Sequence, residues 1–337
     1  MSTTWFPISG SLLLAAFAAS AQASPKPPHY HVSDTHWEWH DTALSSVNAD
    51  GVAAGYQFGN QDQGVVWRDG ALSLLGCDDT NLPYSGARSI NAAGQVAGIC
   101  QHSDGRTQAT LWDATGQHLT IMDHGVVADT ADAVNDKGQV AGSKGRVAYL
   151  WKNGNFKSLG TLGGSASNSY AVNGKGWVVG GSKISGDVTE HAYVYRDGAM
   201  QDLNWGGDSS WAQGINDRGH IVGVQIIGAN NFYHEHAMFD DGTSVIDLGD
   251  LGHTGAGALG INKLDQIVGF SRAPGANDGH GFIYTHGRMY DLNDLIDATS
   301  APGWEILVAY DINDAGVIVG YGIFDGSYQP VVMTPVP

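Results

Sequence analysis

The nine residues Val134-Asn135-Asp136-Lys137-Gly138-Gln139-Val140-Ala141-Gly142 contain the pattern that decides the fold of this chain. An aliphatic residue precedes Asn, Gly follows three positions later, and two aliphatic or Ala residues lead to a second Gly. The pattern recurs seven times, with Asp265 replacing the first Gly of the sixth copy, and successive Asn lie 43, 44, 38, 43, 46 and 51 residues apart. A period of roughly 40–50 residues is typical of one supersecondary unit stacked many times. The seven residues are Asn48, Asn91, Asn135, Asn173, Asn216, Asn262 and Asn313.

The fourth copy shows how one unit folds. Residues 173–176 read as a turn, and Asp197-Gly198 is a tight hairpin signal. These turns separate short runs of β-forming residues, and four short antiparallel strands per unit make one propeller blade. The predicted strands of this unit are 169–172, 177–179, 191–195 and 200–203.

The two ends of the chain complement each other. The seventh unit has three predicted strands, at 308–312, 317–319 and 331–333, and no fourth. A strand-like run at residues 30–34 precedes the first unit. We therefore predict an all-β, seven-bladed β-propeller of four-stranded blades, whose last blade is completed by the N-terminal strand, because this closure removes exposed edges. An open β-solenoid is the alternative, and it predicts polar caps at both ends.

The N-terminus is typical of a secretory signal peptide. An apolar run at residues 12–19 precedes Ala21-Gln22-Ala23, an A-x-A cleavage site. We predict a signal peptide at residues 1–23, a propeller at residues 24–337, and a secreted or periplasmic location. A disordered apolar N-terminus on a cytosolic protein is the alternative. No later stretch is long and apolar enough to predict a membrane span.

Composition limits the partners. The 16 Lys and Arg against 34 Asp and Glu give a formal net charge of −18, so nucleic acid is not an expected partner. Charged residues make up only 15% and the chain has 48 Gly, which favours a turn-dense β protein. No nucleophile elbow, Cys/His nucleophile arrangement or phosphate-binding loop is visible, and we expect no cofactor. We expect a monomer.

Cys77 and Cys100 are the two cysteines. In an oxidising compartment an even pair predicts a disulfide, whereas a metal site would need more ligands at tighter spacing. Two free thiols are the alternative.

The repeats resemble the extracellular HAF-repeat family, named for a His-Ala-Phe tripeptide. The tripeptide stands here as His191-Ala192-Tyr193, His236-Ala237-Met238 and His280-Gly281-Phe282, and the other four units lack the His. The family's Asp-Leu-Gly-Thr-Leu-Gly-Gly phrase is matched at residues 158–164 and 247–252. The resemblance covers nearly the whole mature chain and implies a secreted bacterial protein, but it implies no activity and no catalytic residues.

Variable residues on the innermost strands predict a decorated channel wall. The position three residues before each repeated Asn varies, whereas the next position is small in every unit except the last, which has Asp311. The alternative is that the variable residues face neighbouring blades. We expect Arg88, Asp132, Tyr170 and Tyr310 to contribute to ligand binding. The full set is Ser45, Arg88, Asp132, Tyr170, Gln213, Leu259 and Tyr310.

One face of the ring, here called the top face, carries the loops that join blades and the loops between second and third strands. Varied polar and aromatic residues collect there, which predicts a binding surface. Trp37, Trp39 and Trp211 are candidates for stacking on sugar rings, together with Trp205 and Trp304, and wedging between blades is the alternative. We expect the repeated Asn and the HAF histidines to be structural. The residues His29, His31, His36, Glu38 and His40 could hold a divalent metal, but we expect a solvated cluster and no metal site.

The leading functional hypothesis is a propeller that binds a glycan or an extracellular protein through its top face, without catalysis. A net charge of −18 favours a neutral or cationic sugar. The alternative is a polysaccharide lyase or glycoside hydrolase at the mouth of the channel. A lyase would need a base such as Tyr170 or a His facing Arg88 or a metal, and a hydrolase two carboxylates roughly 5–10 Å apart. A purely structural envelope component is the third hypothesis.

Overall fold

A computed structural model describes residues 27–33, 41–58, 62–77, 84–101, 104–122, 129–228, 234–252, 255–272 and 279–336. The predicted signal peptide lies outside these residues. Within them, 28 strands form seven antiparallel four-stranded sheets arranged in a ring, so the protein is a seven-bladed β-propeller. The described residues also include one 3₁₀ helix, Asn293–Leu295. None of the described helical segments is long and apolar enough to cross a membrane.

The strands follow one another around the ring in chain order. Blade 1 consists of β2–β5, blade 2 of β6–β9, blade 3 of β10–β13, blade 4 of β14–β17, blade 5 of β18–β21, blade 6 of β22–β25, and blade 7 of β26–β28 with β1. Their bounds are β1 His29–Val32, β2 Thr42–Val47, β3 Ala53–Gln57, β4 Gln63–Arg68, β5 Ala71–Leu75, β6 Tyr84–Ile90, β7 Val96–Gln101, β8 Thr107–Trp112, β9 His118–Met122, β10 Thr130–Val134, β11 Val140–Lys144, β12 Val147–Lys152, β13 Asn155–Gly160, β14 Gly163–Val172, β15 Val178–Ile184, β16 Glu190–Arg196, β17 Ala199–Asp202, β18 Ser209–Ile215, β19 Ile221–Ile227, β20 His234–Asp240, β21 Val245–Asp247, β22 Gly255–Ile261, β23 Ile267–Arg272, β24 Gly279–Thr285, β25 Arg288–Asp291, β26 Trp304–Ile312, β27 Ile318–Phe324 and β28 Ser327–Val336.

The N-terminal strand completes the last blade, as predicted. β1 pairs antiparallel with β28, with Tyr30 opposite Pro335 and Val32 opposite Met333. Tyr30 and Val32 are buried in one core cluster with residues of blades 6 and 7, among them Ile306. On the other side of blade 7, β27 contacts β2 of blade 1, which closes the ring. The first and last strands of the domain therefore stabilise each other.

The hydrophobic core lies between blades rather than inside any one of them. Ala97 and Leu111 of blade 2 form one buried cluster with Ala131, Val134 and Tyr149 of blade 3. Similar clusters join the other neighbouring blades, because a single four-stranded sheet cannot bury either of its apolar faces alone.

The repeated Asn holds its own turn and also links adjacent blades. In blade 4, the Oδ1 of Asn173 accepts hydrogen bonds from the backbone N–H groups of Lys175 and Trp177, both at 3.0 Å. Its Nδ2 donates to the backbone carbonyl of Asn216 in blade 5, at 3.0 Å. The turn role was predicted and is confirmed, but the link between blades was not foreseen. Equivalent Nδ2-to-carbonyl bonds join every blade to the next around the ring.

The predicted disulfide is present. Cys77, after the outer strand of blade 1, is bonded to Cys100 in β7 of blade 2, with Cα atoms 6.1 Å apart. The bond is a covalent link between two blades that are otherwise joined by packing and hydrogen bonds. Cys100 is fully buried in the core cluster between these blades.

Candidate functional site

A β-bulge in every inner strand positions the variable residues of the repeat. The pairing of each inner strand with its neighbour skips the residue three positions before the repeated Asn. A bulge leaves one residue out of the ladder and re-aims its side chain. The seven bulge residues are Ser45, Arg88, Asp132, Tyr170, Gln213, Leu259 and Tyr310.

The second Gly of the repeat exists because of these bulges. A Cβ on Gly55 would overlap the backbone carbonyl of Ala43, and a Cβ on Gly142 would overlap that of Thr130. The same overlap occurs at the equivalent Gly of every blade, always with the residue five before the Asn. Gly is therefore required opposite each bulge for close backbone approach rather than for an unusual φ.

All seven bulge residues line one central cavity of about 560 Å³. This cavity is the channel, and it extends between blades 1 and 2 to residues such as Tyr56, Tyr84 and Gln101. Arg88, Asp132, Tyr170 and Tyr310 therefore lie around the same space. None of the described residues that line it is a histidine. Whether these side chains bind a ligand stays a prediction.

The position after each bulge packs against the next blade, which explains why it is small. A Cβ on Gly260 would lie 2.8 Å from the Cα of Asp311. Where a polar residue occupies this position, it accepts a hydrogen bond from the next inner strand. Ser89 Oγ accepts from Val134 N at 3.2 Å, and Asp311 Oδ2 accepts from Val47 N at 3.0 Å. The large Asp311 is thus accommodated as a hydrogen-bonding link between blades 7 and 1.

Arg88 and Asp132 form an ion pair across the channel-facing edges of blades 2 and 3. Arg88 Nη1 lies 2.6 Å from Asp132 Oδ1, and Thr130 Oγ1 donates to Asp132 Oδ2 at 2.8 Å. The Asp132 side chain is only 8% exposed, whereas that of Arg88 is 45% exposed. Burial raises the pKa of the Asp132 carboxyl, although Arg88 and Thr130 both act in the opposite direction. Arg88 also lines the cavity, where the guanidinium nitrogens other than Nη1 can meet a ligand.

Tyr170 and Tyr310 face the cavity as neutral phenols. Burial raises the pKa of Tyr170 well above its ordinary value, with smaller effects in the same direction from Glu190 and Asp132. Burial likewise raises the pKa of Tyr310, which shares a hydrogen bond with the hydroxyl of Tyr56. Both side chains can donate or accept hydrogen bonds, but neither favours the phenolate form.

Aromatic rings lead from the cavity to the outer surface on blades 7 and 1. The Tyr310 ring lies 5.9 Å from that of Tyr321, which lies 6.1 Å from that of Tyr328. On blade 1, the Tyr56 and Phe58 rings are 4.8 Å apart. Tyr328 is 43% exposed and Phe58 46% exposed. We call these five residues the aromatic path.

Four of these aromatic residues were missed from the sequence. Tyr56 and Tyr321 both follow the second Gly of their repeats, in the two blades that meet where the ring closes. The equivalent positions elsewhere include Ile99 and Ser143, so the repeat alone did not single them out. Comparing this position in the first and last blades could have found the pair.

The three predicted top-face tryptophans that the structure describes are engaged in packing. Trp205 is 8% exposed, and its Nε1 donates to Asp240 Oδ2 at 3.1 Å. Trp211 is half-buried against Gly181 of blade 4, and Trp304 stacks on Phe324 with ring centroids 4.9 Å apart. Trp37 and Trp39 lie outside the described residues, so their role stays a prediction.

The HAF histidines are structural hydrogen-bonding groups, as expected. Nδ1 of His191 lies 2.8 Å from Oδ2 of Asp202, and His236 makes the same contact with Asp247. His280 repeats it with Asp291 at 2.6 Å. Each aspartate also accepts a hydrogen bond from the backbone N–H of the residue two positions after it. Each His–Asp pair therefore links the third strand of its blade to the turn that follows the fourth strand. In the part of the chain that the structure describes, no group of three or more potential ligands could hold a metal ion.

No protein-family model matches the chain, and no curated protein matches it. Among solved structures, it is similar to a puromycin-hydrolyzing peptidase from Mycobacterium tuberculosis (12% identity, TM-score 0.53, covering 92% of this chain and 54% of that one). It is also similar to the extracellular domain of a proposed one-component system from B. thetaiotaomicron. The identity is 6% and the TM-score 0.54, and the match covers 91% of this chain and 40% of that one. TolB from Acinetobacter baumannii matches at 14% identity with a TM-score of 0.48, covering 68% of this chain and 58% of that one. The chain thus spans about half the length of these proteins, and at such identities the likeness concerns the propeller fold alone.

Proposed function

We propose that this propeller binds a carbohydrate at the mouth of its central channel and that it performs no catalysis. The aromatic path is the observation that carries the proposal. Sugar rings present apolar C–H faces that stack on aromatic rings, and exposed Tyr and Phe provide that surface. The path begins at a cavity that also carries hydroxyl, amide and charged groups, which suit the hydroxyls of a sugar.

The channel chemistry favours binding over the lyase alternative. A lyase needs a base, and Tyr170 is held as a neutral phenol because burial raises its pKa. No histidine stands among the described residues of the cavity wall to replace it. Two of the carboxylates there are already engaged, Asp132 with Arg88 and Asp311 with two backbone N–H groups. These contacts support a binding site rather than an acid–base pair.

We also propose that the protein works outside the cytoplasm, as a secreted member of the HAF-repeat family. The Cys77–Cys100 bond supports an oxidising compartment. Expression of the full chain in a Gram-negative host tests the export, by fractionation and by N-terminal sequencing of the product. We expect a mature protein that begins at residue 24, and an unprocessed cytoplasmic protein would contradict the proposal.

A glycan array followed by calorimetry tests the binding function. Phe58→Ala and Tyr328→Ala should each weaken binding about fivefold, since one stacking contact contributes about 1 kcal/mol. Phe156→Ala is the matched control, because Phe156 is 41% exposed but lies on the outer strand of blade 3. Binding of no glycan, or equal affinity for all three variants, would contradict the proposal.

A further inference from the structure

A second recess opens beside the channel between blades 3 and 4. It has a volume of about 330 Å³ and shares Arg88, Asp132 and Tyr170 with the channel wall. Its outer part is lined by Arg146, from the β11–β12 turn, and Lys183, from β15. Three of the chain's 16 basic residues therefore line one small space.

The two outer cations form no close pair with any residue that the structure describes. Neither Arg146 nor Lys183 makes a side-chain hydrogen bond or ion pair with a described residue, although both are close enough to help lower the pKa of Asp187, whose first cause is a hydrogen bond from Ser165. Some other cations of the chain are engaged in ion pairs. Arg218 pairs with Asp265, and Arg272 pairs with Glu235. The recess therefore holds cationic groups that are available to a ligand.

Acidic groups also lie in and beside the recess. Asp132 forms an ion pair with Arg88 and accepts a hydrogen bond from Thr130 Oγ1. Glu190 is the other carboxylate among the described lining residues. Three cations and two carboxylates line the recess, and the carboxylate of Asp187 lies beside Arg146 and Lys183, so the recess is close to neutral, whereas the whole chain has a formal net charge of −18. A concave site that is close to neutral repels an anion less than the rest of an acidic protein surface does, and its cations can contact the anion directly.

Neutral donors complete the recess. Ser169 lines it and is fully buried, yet its Oγ has no hydrogen-bond partner among the described residues. A buried hydroxyl without a partner is costly, so a small shift that exposes this Oγ to the recess would be favoured if it gained a hydrogen bond there. Asn168 accepts from Ser143 Oγ through Oδ1, at 3.3 Å, and its Nδ2 has no partner in the described part of the chain.

We propose that the recess between blades 3 and 4 binds the carboxylate of an acidic sugar, with Arg146 and Lys183 as its charged contacts. This inference rests on the proposed carbohydrate function and names the class of sugar. An oligosaccharide that stacks on the aromatic path at blades 7 and 1 can cross the channel mouth and place an acidic sugar unit over blades 3 and 4. Guanidinium and ammonium groups recognise carboxylates through charge-assisted hydrogen bonds.

The test compares a hexagalacturonate with its fully methyl-esterified form, which has the same rings without the charges. Calorimetry should show about tenfold tighter binding of the acid, and the difference should shrink at high salt because screening weakens charge pairs. Arg146→Asn and Lys183→Gln should remove most of the difference. Asn suits position 146 because Arg146 has a φ of 79°. Lys152→Gln is the control, since Lys152 is exposed on β12 and outside the recess.

The outcomes separate the two proposals. If the acid and the ester bind equally, the acidic-sugar inference is overturned and the carbohydrate function stands. The same holds if the two recess variants keep the acid-over-ester preference that the control shows. If neither oligomer nor any glycan on an array binds, free galacturonate is titrated and backbone NMR shifts around Ser169 are followed. Shifts that Arg146→Asn abolishes would support a carboxylate site while overturning the carbohydrate-polymer function. No shifts in that titration would overturn both.

Discussion

The side-chain Nδ2 of Asn313 donates a 2.9 Å hydrogen bond to the backbone carbonyl of Asn48, a residue 265 positions earlier in the chain. This bond joins blade 7 to blade 1 and completes a ring of seven such bonds. Each Asn is nearly buried, so each bond is shielded from water. The ring fixes the end of the channel opposite the top face and sets the spacing of the inner strands.

Replacing one member of this ring should destabilise the whole domain. Asn173→Ala removes a donor and two accepted bonds at a residue that is 4% exposed, and we expect a loss of about 2–4 kcal/mol in the free energy of unfolding. Asn173→Asp keeps the acceptor oxygen but loses the donor to Asn216, so it isolates the bond between blades. Urea unfolding measures both variants. Asn155→Ala, at an exposed position of β13, is the control, and equal stability of all three would contradict the expectation.

Two substitutions of Tyr30, in the closing strand, should separate the stabilising effect of its buried ring from the cost of its buried hydroxyl. Its ring is fully buried, but its hydroxyl has no partner in the described part of the chain, and burial raises its pKa. Tyr30→Ala should cost about 3–5 kcal/mol because it leaves a large cavity. Tyr30→Phe should be neutral or stabilising, since it removes an unsatisfied group. Thermal unfolding distinguishes the two, and a destabilised Phe variant would show that the hydroxyl has a partner.

The disulfide should contribute to stability by linking blades 1 and 2. Cys77 and Cys100 are separated by 23 residues, and closing a loop of that size stabilises by about 3 kcal/mol in the chain-entropy model. We expect the Cys77→Ala/Cys100→Ala double variant and the reduced protein to unfold at lower urea concentration than the oxidised protein. Alkylation with mass spectrometry checks the starting state. Two alkylatable thiols in native protein from an oxidising compartment would contradict the prediction.

Asp311 should make stability depend on pH. Burial raises the pKa of its carboxyl in the folded protein, so the folded state binds this proton more tightly than the unfolded chain does. The ionised carboxylate therefore carries a cost at neutral pH, and that cost is relieved as pH falls through the raised pKa toward about 3.9, the unfolded value.

The matched variant is Asp311→Ser, because Ser89 makes the equivalent hydrogen bond in blade 2. Its stability relative to the natural protein should be highest at pH 7 and should decrease as pH is lowered toward 4. Urea unfolding at both pH values measures this difference. If the stability of Asp311→Ser relative to the natural protein instead rises on acidification, the expectation is wrong. That result would mean that the hydrogen bonds from Val47 and Ile312 lower the pKa of Asp311 below its ordinary value.

The sequence by itself determined the blades and the closure. The Asn-x-x-Gly turn and the short alternating strands depend on neighbours within about ten residues, so they can be read locally. The missing fourth strand of the seventh unit and the orphan strand near Tyr30 then specified how the ring closes. The disulfide followed from an even pair of cysteines.

Only the tertiary structure decided which side chains share a site. The bulges turn seven residues toward one channel, and ring closure brings Tyr310 next to Tyr56, although 254 residues separate the two in sequence. Sequence position placed Trp205 in a top-face loop but could not say that it is buried. A net charge of −18 predicted a neutral or cationic ligand, yet folding brings Arg146 and Lys183 beside Arg88. Composition sums charges over the chain, whereas a ligand meets only those that blades from distant parts of the sequence place around one cavity.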